Sequence, residues 1–468
     1  LGQKFEDGFM VKVEERYTCF WPDFDLQGSQ DWKALDGTKL LKRELPEDAD
    51  ALAQDSRWPA LFPSAMCIVT TGDGFFSAME KVVAPVIVNR FPYVMSLSFC
   101  VRGLSTRHYP RTRFLEILEG GEGVAVQFIA PGEALNTVMD AIASISDEDI
   151  DKRITSAGLP TRKAISNDAP VFSDAYLVYE GKLVKESKDI EGQTIYQKPY
   201  TDIGSHRICF FEINTIQLQQ DIAEGRRQIA WQSLPTWSPQ CKVPSLEKIT
   251  IEEDTSRYQK GYNPDYRFPS KNTIAFEADY IKNGMSVMEL STELKTDNDD
   301  SRWPCFFPSS LGMITSFMDD GTPNLMPCGS TAVIGRSPFI IGICVGYAAI
   351  NERYRPRSSL EIIRKAGKFG CGVPFVSDKI IKAITYAGNR SIKDDQRKLF
   401  NSGLSVDESF DVPILLDLPI TFVCKVVNEI RLGTHIMLLG EVSDIYVRED
   451  VTQDNPLCWY PWAKITTE

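Results

Sequence analysis

The residues best suited to chemistry fall in one block of the second half of the chain. Asn324-Leu325-Met326-Pro327-Cys328-Gly329-Ser330-Thr331 follows a turn at Asp320-Gly321 and combines a leading amide with small and hydroxyl-bearing residues. Arg357-Ser358-Ser359 then opens the stretch Leu360 to Phe369, with Arg353 just before it. A cation and hydroxyls at a helix opening suit an anion, because unpaired amides and the helix dipole both favour negative charge. Each residue also has a plainer reading. Ser359 is a preferred helix cap, Asn324 suits a turn, Arg353 and Arg357 suit a solvated surface, and His435 suits a structural hydrogen bond. What joins them is their order and spacing.

Other chemistries are excluded by what is missing. The chain has no Walker A loop, GxGxxG, GxSxG or HExxH. Its three histidines, His108, His206 and His435, form no HxH or HxxxH pair, so no metal site is expected.

The elements that must position this block are mostly strands. Apolar or β-branched runs at 312–317, 339–345 and 420–426 are separated by Gly, Pro and Asp turns. Apolar residues at three-to-four spacing predict helices over 359–368 and 377–386, with counterparts at 114–120 and 133–145. The order suggests a closed or partly open antiparallel barrel carrying short helices, with parallel α/β as the weaker alternative.

An internal repeat fixes the domain plan. Asp55-Ser56-Arg57-Trp58-Pro59 with Phe62-Pro63-Ser64 recurs as Asp300-Ser301-Arg302-Trp303-Pro304 with Phe307-Pro308-Ser309, 245 residues later. Gly158-Leu159 recurs at the same offset as Gly403-Leu404. Two domains, 1–245 and 246–468, are therefore expected, with a Pro-containing linker near 238–244 and a polar surface insertion over 185–200.

With the repeat in hand, the block resembles a known family. A hairpin ending in Asp-Gly, then Asn-x-Met (Asn324, Met326), small hydroxyl residues, Ser337-Pro338, Arg-x-Ser (Arg357, Ser359) and a helix ending Gly-x-Phe is similar to the flavin reductase-like, flavoredoxin-type FMN-binding split barrels. Cys424-Lys425, Gly433-Thr434-His435 and Gly440-Glu441-Val442 resemble later signatures of that family, with Thr434 where Asp is usual. The resemblance implies a mainly β fold with short helices (α+β), present as two tandem split β-barrels forming an intrachain pseudo-dimer. It implies FMN, with FAD as an option, held by Asn324, Leu325, Met326, Cys328, Gly329, Ser330, Thr331, Arg353, Arg357, Ser358 and Ser359. It also implies His435 as the catalytic residue, and NAD(P)H as hydride donor. A small-residue strand would let the ring approach the main chain, and Trp231, Trp237, Trp459 and Trp462 are candidates to roof it. Across the repeat Ala78, Ala84 and Pro85 stand where Asn324, Ser330 and Thr331 do, so the first copy is expected to hold a degenerate flavin site.

Three functions follow as expectations. The first is a flavin reductase-like oxidoreductase that uses a small-molecule substrate or free flavin, or feeds a flavin-dependent monooxygenase. The second is a specialised oxygenase or biosynthetic flavoenzyme acting on an organic substrate. The third is a non-catalytic flavin or heme binder.

Composition narrows the setting. At 468 residues, 43% hydrophobic and 25% charged, the chain can bury two cores. A net charge of −13 argues against nucleic acid and anionic membranes as partners. The longest apolar run, Pro338 to Ile350, is shorter than the roughly 20 residues a membrane span needs. The start, Leu1 to Phe5, shows no leader pattern, and eleven cysteines without CxxC spacing read as free thiols of a cytoplasmic protein. Further pairing of pseudo-dimers is left open.

Overall fold

A computed structural model of the chain describes residues 2–4, 9–12, 36, 38–44, 66–89, 92–100, 113–120, 123–129, 133–184, 187–188, 194–196, 200–204, 206–224, 278–290, 310–336, 338–347, 356–375, 377–451 and 464–467. Arg353, the four end tryptophans and both Asp-Ser-Arg-Trp-Pro segments lie outside the described residues.

The protein is mainly β with few short helices. In chain order the elements that matter here are β1 (Leu40–Glu44), β2 (Met66–Gly72), β3 (Ser77–Val83), β4 (Val86–Asn89), β5 (Val94–Cys100), α1 (Arg113–Glu119), β6 (Gly123–Ile129), α2 (Glu133–Ser144), α3 (Arg153–Ala157), β7 (Ala175–Leu183) and β8 (His206–Gln219). They continue with β9 (Met285–Glu289), β10 (Ser310–Phe317), β11 (Pro323–Arg336), β12 (Phe339–Gly346), α4 (Ser358–Ala366), β13 (Lys368–Val373), α5 (Asp378–Gly388), α6 (Lys398–Asn401), β14 (Ile420–Leu432) and β15 (His435–Arg448). All four expected helices form within two residues of their expected ends.

The C-terminal strands close a six-stranded antiparallel barrel in the order β12-β11-β10-β13-β14-β15, with β15 pairing back onto β12. The N-terminal strands form a ten-stranded antiparallel sheet whose path β3-β2-β6-β7-β8-β5-β4 follows the same neighbour order. Where β11 is one 14-residue strand, the first half has two, β3 and β4, because Pro85 cannot donate and Ala84 is turned to a φ of 58°.

Strands pair across the expected 245/246 boundary, Phe9–Lys12 with Lys464–Thr467 among them. β1 adds to the edge of β15, and β9 adds to the edge of β8. Each half thus lends a strand to the sheet of the other.

The strands are apolar on both faces, and the two-residue period explains why. In β12, Phe339, Ile341, Ile343 and Val345 point into the barrel core, while Ile340 and Cys344 point outward into a layer shared with the first half. β15 divides likewise, Ile436 and Leu438 inward, Met437 and Leu439 outward. The first half supplies Val86, Val88, Val94, Ile208 and Phe210 to this shared layer. Ser98 Oγ also donates across it to Ile334 O at 2.5 Å. The expected insertion carries a small ribbon, Ser187–Lys188 with Thr194–Tyr196. No helix among the described residues is long and apolar enough to cross a membrane.

Because both halves rest on one apolar layer, a cavity in it should loosen both. Ile334→Ala should cost about 2–5 kcal/mol and lower amide protection in β2, β6 and β7 together with β10, β13 and β14 in hydrogen-exchange mass spectrometry. Protection lost in one half only would show the halves to be independent.

Candidate functional site

Of the expected site residues, Asn324, Arg357, Ser358, Ser359 and His435 come together around the opening of α4 at one end of the C-terminal barrel. β12 ends at Gly346, whose carbonyl accepts from Arg357 N (2.9 Å), so the strand end anchors the opening of α4. The next residue, Tyr347, donates its N–H to Thr434 O (3.0 Å), which ties the same strand end to the hairpin between β14 and β15. That hairpin turns at Gly433, where a φ of 52° favours glycine, and places His435 first on β15. A Cβ built on Gly346 would lie 3.6 Å from His435 Nε2 and 4.0 Å from Arg357 Cγ. His435 and Arg357 therefore flank one small-residue gap.

The first turn of α4 is open. Arg357 occupies its N-cap position with no side-chain cap, and its guanidinium has no hydrogen bond or ion pair to the described residues. Ser358 Oγ lies 3.2 Å from Ser391 Oγ. Ser359 is buried and accepts from Asn324 Nδ2 at 2.9 Å. Ser316, opposite Asn324 on β10, completes a buried polar cluster under this turn. Asn324 Oδ1 and Ser316 Oγ have no partner there.

Lys398 is the residue that reading the sequence missed. It starts α6, is 3% exposed, and no hydrogen bond or ion pair to the described residues reaches its amine. Burial, and then the neighbouring charge of Arg357, push its pKa down to about 8, against a smaller upward pull from Asp395. Two cations thus stand near an uncapped helix start, and among the described residues no carboxylate is bound to either. The donor set fits an anion such as a phosphate group.

The rest of β11 is placed as follows. Leu325 packs into the apolar core under α5 and α6, and Met326 and Cys328 point into the barrel core. The Cys328 thiol faces Cys344 O at 3.4 Å, and Thr331 Oγ1 donates to Cys328 O at 2.9 Å. Gly329 and Ser330 are the half-exposed part of the strand. Cys67, Cys209, Cys328, Cys344, Cys371 and Cys424 are free and buried. Among the described residues no group of side chains could hold a metal ion.

The first half has the same elements with different chemistry. By register through β2 and β6, Phe114 stands at the Ser359 position and Ala78 at the Asn324 position, and both are fully buried apolar groups. The first amide of α1, Arg113 N, donates to Asp147 Oδ2 at 2.6 Å. Arg153 begins α3 five residues before Gly158, as Lys398 begins α6 five residues before Gly403, and both glycines have positive φ. Arg153 is buried but paired, with Asp147 at 3.0 Å and Glu80 at 2.7 Å. The place that no described carboxylate fills in the second half is filled here by Asp147. His206, at the matching hairpin, is pushed down to about 4 by burial.

Comparison with known proteins locates a family domain in the C-terminal part of the chain. Residues 304–464 match the flavin reductase like domain, so the C-terminal part of the chain is a flavin reductase-like domain. An uncharacterized protein of Archaeoglobus fulgidus is 24% identical over 124 residues, 26% of this chain. The chain spans 64% of the length of that relative. Among solved structures, flavoredoxin of Desulfovibrio vulgaris (Miyazaki F) is 21% identical with a TM-score of 0.27, covering 32% of this chain and 74% of that one. Nitrilotriacetate monooxygenase component B from Bacillus cereus is 18% identical with a TM-score of 0.26, covering 31% and 73%.

The buried amine has a measurable cost. Burial pushes Lys398 down from the ordinary 10.5 to about 8, so between these values the unfolded chain holds more protons and stability rises with pH. Below about pH 8 the full penalty stands, on the order of 3 kcal/mol. Lys398→Met should therefore unfold at higher urea than the natural chain at pH 7 without added anion, and should lose the rise between pH 8 and 10.5. A less stable variant at pH 7 would show that the amine is compensated.

Proposed function

We propose that the chain is an FMN-dependent oxidoreductase of flavin reductase-like type, with one flavin site built chiefly by the C-terminal barrel. The observation that carries the reading is the pair of uncompensated cations, Arg357 and Lys398, at the open start of α4 in a flavin reductase-like domain. Arg357, Lys398 and Ser358 would hold the phosphate, and the Asn324–Ser359 contact would brace the turn that carries it. Gly329, Ser330 and Thr331 would let the ring approach the main chain, with Arg353, shortly before α4 in the sequence, as a further cation. When bound, the flavin supplies the hydride and electron transfer. His435 would offer a hydrogen bond at the gap beside Gly346, and NAD(P)H is the proposed donor.

The chain reads further as one unit written twice, a reading supported by the 245-residue repeat and the common neighbour order of the two sheets. In that reading the first half is the degenerate copy, its anion position taken by Asp147. This divergence also favours a second possibility, a specialised flavoenzyme that acts directly on a small organic substrate. Rapid NAD(P)H oxidation with free FMN would favour the reductase, and tight flavin with negligible oxidation would favour the specialised enzyme.

Titration of flavin-free protein with FMN tests the site. Arg357→Ala combined with Ser359→Ala should weaken binding by about 2–4 kcal/mol, roughly 30- to 1000-fold, because charge-assisted hydrogen bonds are lost. Unchanged affinity in a folded double variant would remove these residues from the site.

A further inference from the structure

His435 does not meet the site alone, because its other ring nitrogen is held from the first half. Asn89, at the end of β4, is 1% exposed. Its Nδ2 donates to Pro92 O at 2.8 Å, and a carbonyl can only accept, so the orientation of the amide is fixed with Oδ1 toward the second half. That oxygen accepts from Thr434 N at 2.9 Å and lies 2.9 Å from Thr434 Oγ1. His435 Nδ1 lies 2.9 Å from Thr434 Oγ1 and 3.3 Å from Asn89 Oδ1.

Only one arrangement of protons satisfies all of these contacts. If the Thr434 hydroxyl donated to Nδ1, its lone pairs would face Asn89 Oδ1 at 2.9 Å, a repulsive contact between two acceptors. If it donates to Asn89 Oδ1 instead, its oxygen can accept from an Nδ1–H, and the chain of donors runs from imidazole to hydroxyl to amide carbonyl. Such chains strengthen one another in a buried setting. We infer that Asn89 is a positioning residue that fixes neutral His435 as the Nδ1–H tautomer, which makes Nε2 the accepting atom of the ring.

The consequence is a constraint on what His435 can recognise. Nε2 lies on the side of the ring toward the Gly346 gap and the Arg357 stem. As an acceptor it suits a ligand atom carrying N–H or O–H, or one that gives up a proton, and it does not suit a bare carbonyl. The site therefore depends on the first half for the chemical sense of its histidine. The inference rests on the proposed flavin reading only for what fills the gap, not for the tautomer.

Nuclear magnetic resonance on the full chain, labelled with 15N-histidine and free of flavin, reads the tautomer directly, so its outcome is separate from any flavin titration. At about pH 9, where an imidazole is neutral, His435 should show a pyrrole-type Nδ1 and a pyridine-type Nε2, its signals assigned by their loss in His435→Gln. Asn89→Leu removes the terminal acceptor and should move the population to Nε2–H, whereas Asn89→Asp keeps an acceptor and should retain Nδ1–H. A pyridine-type Nδ1 in the natural chain, or an unchanged tautomer in Asn89→Leu, would overturn the inference. The natural chain alone decides if Asn89→Leu fails to fold.

Discussion

A cation taken out of water needs a counter-charge, and this requirement organises both halves of the protein. In the first half Arg153 is answered within the chain, by Asp147 and Glu80, and Asp147 also takes the first amide of α1. In the second half Lys398 is buried with Arg357 close enough to lower its proton affinity, and among the described residues no carboxylate closes the pair. The uncapped turn of α4 and the buried Asn324 and Ser316 oxygens lie around that imbalance. An anionic group arriving there would relieve a cost that the fold otherwise carries.

The halves cannot be treated as separate units with a site on one of them. They share an apolar layer made of the outward rows of β4, β5 and β8 on one side and of β11, β12 and β15 on the other. They exchange edge strands, β1 for β9. Asn89 crosses the same boundary to hold the hairpin that begins β15. The strained Ala84 and the adjoining Pro85 break the first-half counterpart of β11, yet the strand resumes as β4 in time to deliver Asn89. A chain whose first half had lost one site could thus still be required by the other.

Much of this was legible in the sequence because it depends on local pattern. The helices beginning at Ser358, Asp378, Arg113 and Glu133 follow from apolar spacing, and the gathering of Arg357, Ser359, Asn324 and His435 follows from their order. What was not legible depends on burial and on distant contacts. Lys398 sits in Asp394-Asp395-Gln396-Arg397-Lys398, which reads as a solvated charge run, and only packing shows that its last member is enclosed. A signal was nevertheless present, since Lys398 and Arg153 each precede a repeat glycine by five residues. Asn89 gives no such sign, being 345 residues from Thr434. The exchange of β1 into the second sheet is equally invisible, because pairing over such a separation leaves no local pattern. Leu325, Met326 and Cys328 share the strand that carries Ser330, but the two-residue period turns them into apolar cores on its two faces.

The central claim is that one half keeps its anion position filled by its own carboxylate while the other keeps it open for a cofactor. Flavin stoichiometry tests this most directly: the chain is saturated with FMN, freed of excess, denatured, and the released flavin is counted against polypeptide. The account predicts one flavin per 468-residue chain. Two per chain would contradict it, because the second could bind only where Asp147 already stands.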